Sequence, residues 1–133
     1  MNKDKLDRHY QELKKDAQID KNNLDEECCR QTFLYVKWSK RLALAEANLR
    51  RVEHALTRYK AEMVIQGKEE GLGVAVSEAT YRKSMKYIEL GRKKSRILSS
   101  VKLAENGVHT LLQRRAMLDN LVKLHSTGYY HES

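Results

Sequence analysis

The residues in this sequence best suited to chemistry are cations, and the chemistry they suit is holding phosphate. Arg92, Lys93, Lys94 and Arg96 stand together in RKKSR, and between residues 82 and 102 eight Lys/Arg meet a single acid, Glu89. A second set recurs at intervals of seven, Arg30, Lys37, Leu44, Arg51 and Arg58, with Arg50 beside it. On a helix that spacing sets cations about 10.5 Å apart along one line, a repeat able to track a phosphate backbone. The stretch FLYVKWSK, residues 33 to 40, adds Phe33, Tyr35 and Trp38 among Lys37 and Lys40. Such a mixture is either a platform for stacked bases or one buried helix stripe crossed by a basic one.

Catalytic constellations are missing. The chain contains no GxxxxGK[ST], HExxH or GxSxG pattern. Its five histidines are dispersed, with His54 on an outer helix face and His131 in the tail, and Gly71-Leu72-Gly73 follows no predicted strand. Glu46 and Glu53 lie seven apart but neighbour Arg50 and Lys60, so salt bridging is the expected use of both. Cys28 and Cys29 are adjacent, match no zinc spacing and read as small helix-packing residues in a reducing compartment. These patterns predict a protein that is not an enzyme and has neither a cofactor nor a metal site.

Composition sets the scaffold. A chain of 133 residues fits one domain, and a formal charge of +8 favours a polyanionic partner. One Trp, one Phe, no Pro and a third of residues charged favour long helices with thin aliphatic seams over a β-rich globule. No apolar run approaches a membrane span, and MNKDKLDRHY is too charged for a signal peptide, so a cytoplasmic protein is expected. The seams are narrow and periodic, a better match to other helices than to a lipid surface.

The elements that must position the cations follow from apolar spacing. Leu6, Tyr10 and Leu13 predict a short helix over about 4–15. Asn23 as N-cap, with Glu26 three residues on, opens a long helix over 23–66. Steps of four and three visit Leu24, Cys28, Gln31, Tyr35, Trp38, Leu42, Ala45, Leu49, Val52, Leu56, Tyr59 and Met63, with Gln31 the sole polar position. That is a coiled-coil-like seam, on a helix about 60 Å long. Phe33 faces away from it and is marked for a subunit interface or a base. Lys37 lies on the outward basic line.

GKEEGLGVAVS predicts a loop over 67–77, with Ser77 capping a helix over 78–90. Gly91 is the predicted C-cap before a further helix over 92–125, whose seam runs through Ile97, Val101, Ala104, Val108, Leu111, Arg115, Leu118 and Val122. The seam keeps its phase across Asn106-Gly107, which predicts continuity there, and 126–133 is a tail. Apolar residues off the seams, among them Leu34, Val36, Leu44 and Ile65, predict packing within and between subunits. The expected architecture is therefore all-α, one helical domain in a homo-oligomer.

ELKKD at 12–16, Ile19-Asp20, LYVKW at 34–38, Arg51 with Glu53, YRKSMK at 81–86 and Leu118-Asp119 occur together in an order and spacing that resemble the UvsY-type recombination mediators of T-even-like bacteriophages. The likeness spans roughly residues 10 to 128. It implies a ring-like homo-oligomer, a hexamer or heptamer, that binds single-stranded DNA in the host cytoplasm. Such mediators help a phage RecA-like recombinase load onto strands covered by the phage single-strand-binding protein, in homologous recombination and repair. The family's basic pair near the end of the long helix has its nearest counterpart in Arg58-Tyr59-Lys60, in reversed order and with Glu62 close by, which shifts weight to RKKSR. The alternative is an oligomeric coiled-coil adaptor or scaffold that binds no DNA and uses its charge for solubility.

Overall fold

The computed structural model describes residues 2 to 128 and contains four helices and, among the described residues, no strand: α1 (Lys3–Ala17), α2 (Leu24–Glu69), α3 (Val74–Arg82) and α4 (Met85–Ser126). His131 and the tail from residue 129 onward lie outside the described residues. The chain forms two compact units, Met1–Leu44 with Lys102–Ser133, and Ala45–Val101.

Helix ends follow local chemistry. Asn2 caps α1, its side chain accepting from the Lys5 amide at 2.8 Å. Before α2, Asp20 is the organising acid: Oδ1 accepts from the Asn22 amide at 2.9 Å and Oδ2 from Asn23 Nδ2 at 2.8 Å. Asn23 thus donates to a side chain where the sequence predicts a capping acceptor. At its far end α2 runs past the predicted stop and ends with Gly71 in the left-handed region, φ 80°. There the Gly71 amide donates to the Lys68 carbonyl (3.1 Å) and the Leu72 amide to the Gly67 carbonyl (2.8 Å), the paired bonds of a Schellman end.

The predicted loop is therefore short. Ser77 is not an N-cap: it lies inside α3, buried at 4% exposure, and α3 starts behind Gly73. Nor does the chain break at Gly91, which is interior to α4 with open space about it. The break falls at Lys83-Ser84. Ser84 Oγ accepts from the Tyr87 amide (3.2 Å) and donates to the Tyr81 carbonyl (2.7 Å), so one hydroxyl ends α3 and caps α4. Continuity through Gly107 holds.

In the unit formed by Met1–Leu44 and Lys102–Ser133, the core is Leu13, Leu34, Trp38, Leu103 and Leu111, with Leu6 and Val108 packed against it. Trp38 is fully buried. Enclosing an indole removes on the order of 200 Å² from water, worth roughly 5 kcal/mol before ordering costs. Gly107 makes that possible: a Cβ there would stand 2.2 Å from Trp38 Cε3.

On α2 the two lines of the predicted seam separate. Gln31, Trp38, Ala45, Val52 and Tyr59, seven apart, are buried. Leu42, Leu49 and Leu56 on the other line are half-buried, and Tyr35 is 39% exposed. On α4 the buried positions include Val101, Ala104, Gly107, Leu111, Arg114, Leu118 and Leu121, whereas Arg115 and Val122 are exposed and Val108 is half-buried. Cys28 and Cys29, read as packing residues, are both exposed because they lie off the buried line.

The unit Ala45–Val101 is built on Val52, Tyr59 and Tyr81. Tyr81 meets Tyr59 and Tyr87 edge to face, with centroids 6.3 and 5.4 Å apart. Gly67 lets Ser77 approach, since a Cβ there would meet Ser77 Oγ at 1.9 Å.

Candidate nucleic-acid interface

Four cations of the first unit, Arg30, Lys37, Arg41 and Arg114, are held by its own acids. Lys37 Nζ lies 2.7 Å from Asp16 Oδ2 and 2.9 Å from Glu12 Oε1. Asp16 Oδ2 also accepts the Trp38 indole N–H at 3.0 Å, and Arg30 lies 3.7 Å from Asp16 and 3.5 Å from Glu27. Arg41 grips Glu12 through both guanidinium nitrogens, at 2.6 and 2.9 Å. Hydrogen bonding from Arg41 dominates the Glu12 carboxyl and, with Lys37, holds it down to about 2 despite partial burial. Burial works against the Lys37 ammonium, but its bonds to Asp16 and Glu12 prevail and raise its pKa. Lys37, read from the sequence as a phosphate contact, is thus already neutralised by α1.

Arg114 was not singled out by sequence. It is buried at 3% exposure, pairs closely with Glu27, donates to Gln31 Oε1 (2.8 Å) and reaches the Gln18 carbonyl (3.2 Å). Gln31 in turn donates to the Leu111 carbonyl at 2.6 Å. Burial lowers the guanidinium pKa, with the Glu27 charge opposing. The lone polar residue in the predicted α2 seam is therefore the partner of a buried arginine.

The second unit is the more strongly basic of the two. It carries twelve Lys/Arg against seven Asp/Glu, yet among the described residues its sole ion pair is Arg82 with Glu78, at 3.9 Å. Arg50, Arg58, Arg92, Lys93 and Arg96 are exposed and Lys94 is half-buried, all without a carboxylate partner among the described residues. Arg51 donates only to Asn48 Oδ1, at 3.3 Å. Glu46 and Glu53, expected to bridge to Arg50 and Lys60, form no such pairs. Of the sequence-marked cations, Arg30 and Lys37 belong to the first unit and eight to this one: Arg50, Arg51, Arg58 and Lys60 on α2, and Arg92, Lys93, Lys94 and Arg96 on α4.

Two lysines of this unit sit on aromatic faces. Lys60 Nζ lies 5.9 Å from the Tyr87 ring centroid and Lys86 Nζ 5.2 Å from that of Tyr59. The rings are fixed: Ser84 Oγ–H is committed to the Tyr81 carbonyl, so Tyr59 O–H donates to Ser84 Oγ across 2.7 Å. Sequence reasoning missed this cluster because Tyr81, Ser84 and Tyr87 belong to the α3–α4 junction, which it placed elsewhere.

The first unit also has an open groove of about 480 Å³ lined by Cys28, Gln31, Thr32, Tyr35, Leu112, Arg115, Leu118 and Asp119, and Phe33 is 76% exposed. Among the described residues no group of three His, Cys, Asp or Glu could hold a metal ion, and no helix is long and apolar enough to cross a membrane.

No family model, curated protein or solved structure matches this chain. Glu12, Leu13 and Asp16 of ELKKD pack and bond against Leu34, Lys37 and Trp38 of LYVKW.

Proposed function

We propose that this protein is a recombination mediator. In this reading it binds single-stranded DNA through the cations of the Ala45–Val101 unit and promotes loading of a RecA-like recombinase onto strands covered by single-strand-binding protein. The observation that carries the reading is where charge stays open: in the Ala45–Val101 unit, Arg50, Arg58, Arg92, Lys93, Lys94 and Arg96 have no carboxylate partner among the described residues, whereas Arg30 and Lys37 on the basic line of α2 are neutralised by acids of their own unit. Unpaired surface cations repel one another at a cost in stability, a cost that phosphate contacts reverse while releasing counterions. The resemblance supplies the rest: the recombinase, the single-strand-binding protein, the phage context and a ring of subunits.

Self-assembly has its own support. Phe33, Val36 and Leu44 of the first unit, and Ile65 and Met85 of the second, are each more than half exposed, apolar side chains that further copies of the chain would cover. That feature alone also favours the oligomeric adaptor without DNA binding. One experiment separates the two: solution mass with and without a single-stranded oligonucleotide, repeated with the duplex. A multimer that binds the single strand in preference to the duplex, with affinity falling steeply in salt, supports the mediator. A multimer that ignores the oligonucleotide supports the adaptor, and a monomer that ignores it removes both.

A further inference from the structure

We propose that Lys60 and Lys86 form a two-point clamp for backbone phosphates of a single strand, with Tyr87 and Tyr59 as the positioning residues that hold them. This deepens the single-strand reading above and rests on it.

A comparison within the chain carries the inference. In the first unit, Lys37 and Arg41 sit on the Trp38 ring at 5.8 and 4.5 Å, and carboxylates of Glu12 and Asp16 complete both cations. In the second unit, Lys60 and Lys86 sit on tyrosine rings in the same manner, and no carboxylate among the described residues pairs with either. A ring face attracts an ammonium without neutralising it. Each lysine is exposed, and among the described residues no hydrogen-bond acceptor takes up its N–H donors.

The seat is rigid where a surface lysine is ordinarily floppy. Tyr59 is buried, bonded to Ser84, and packed edge to face on Tyr81, which packs likewise on Tyr87. Lysines held in this way lose less side-chain freedom when a ligand arrives. The lysines themselves occupy those faces of Tyr59 and Tyr87, so the arrangement selects phosphate over a stacked base. The lysines belong to α2 and α4, so one strand gripped at both points contacts two helices of the unit.

The test is fluorescence anisotropy of a labelled oligothymidylate with the full chain over a series of salt concentrations, with circular dichroism to establish that each variant keeps its helices. Lys60→Gln with Lys86→Gln is expected to reduce the slope of log affinity against log salt by about 1.4, two single-strand phosphate contacts' worth. Tyr87→Leu is expected to weaken binding several-fold, and Tyr87→Phe, which keeps the ring face, to bind like the parent. An abasic oligonucleotide should bind the parent protein as tightly as oligothymidylate. An unchanged slope in the lysine variant overturns the clamp even if Tyr87→Leu fails to fold, because both lysines are exposed. Weakening by Tyr87→Phe equal to that by Tyr87→Leu, or loss of binding to the abasic strand, also overturns it. A parent protein that binds no single strand removes the function proposed above and the clamp with it; a binding parent with an unchanged lysine variant removes the clamp alone.

Discussion

Replacing Gly107 with alanine should destabilise the protein, although alanine is the better helix former. Gly107 lies in the interior of α4, where the exchange alone would stabilise by about 1 kcal/mol. Its position against Trp38 reverses the sign. The new methyl carbon would lie 2.2, 2.7 and 3.0 Å from Trp38 Cε3, Cδ2 and Cζ3, well inside van der Waals contact. The ring has nowhere to go: it is fully buried, and its N–H is tied to Asp16, which also holds Lys37. Overpacking costs about 1–3 kcal/mol, and straining the Trp38 to Asp16 bond adds about 1 kcal/mol or more. The net expectation is a loss of about 1–3 kcal/mol. Urea unfolding followed by fluorescence of the only tryptophan measures it directly. Gly91→Ala is the internal control, helical and with open space around the glycine, and should stabilise by about 0.5–1 kcal/mol by circular dichroism. A Gly107→Ala protein as stable as its parent would refute the close approach of α4 to Trp38.

Further outcomes follow from the polar contacts. Glu12 has a folded pKa of about 2, below its ordinary 4.5, so its contribution is complete above pH 4.5 and disappears as pH falls through about 2. Discounted for a side chain one-third exposed, that contribution is about 1–2 kcal/mol, and Glu12→Gln should flatten urea stability across this window. The raised pKa of Lys37 acts at the other end, its contribution present below pH 10.5 and lost as pH rises through the higher folded value. Arg114→Met should cost about 3–5 kcal/mol in thermal or urea unfolding by leaving the buried Glu27 carboxylate with Arg30 alone, at 3.5 Å, and adding Glu27→Leu should recover much of the loss. Ser77→Ala removes a buried hydroxyl that has no hydrogen-bond partner, and should leave stability unchanged or raise it by about 1 kcal/mol.

Much of the helical plan is legible in the sequence because helices advertise themselves by spacing. The line Trp38, Ala45, Val52 and Tyr59 repeats every seven residues, and all four are buried. What stays hidden is written in residues whose type does not announce their environment. On α4 the buried stripe passes through Gly107, Arg114 and Leu121, and a glycine and an arginine at core positions displace the apparent seam onto Val108, Arg115 and Val122. Gly91 and Gly107 look alike as letters, and only the packing separates open space from contact with an indole. Ser77 and Ser84 are both credible caps, and the choice falls to Ser84 through its bonds to Tyr81, Tyr87 and Tyr59. The basic line on α2 is visible as a repeat, but α1 supplies the acids that remove Lys37 from it, a tertiary contact that charge counting does not reach.

That the cations of the Ala45–Val101 unit, rather than those of the other unit, meet the strand is the central claim, and charge reversals test it most directly. Arg92→Glu with Lys93→Glu and Lys94→Glu alters cations of α4 in the Ala45–Val101 unit, whereas Lys14→Glu with Lys15→Glu alters exposed cations of α1 in the other unit. The measurement is the salt slope of affinity for a single-stranded oligonucleotide. The account predicts a slope reduced by about 2 in the α4 variant and little changed in the α1 variant, with helicity intact in both. An α4 variant that keeps the parent's affinity and slope, or equal losses per charge in the two variants, would contradict it.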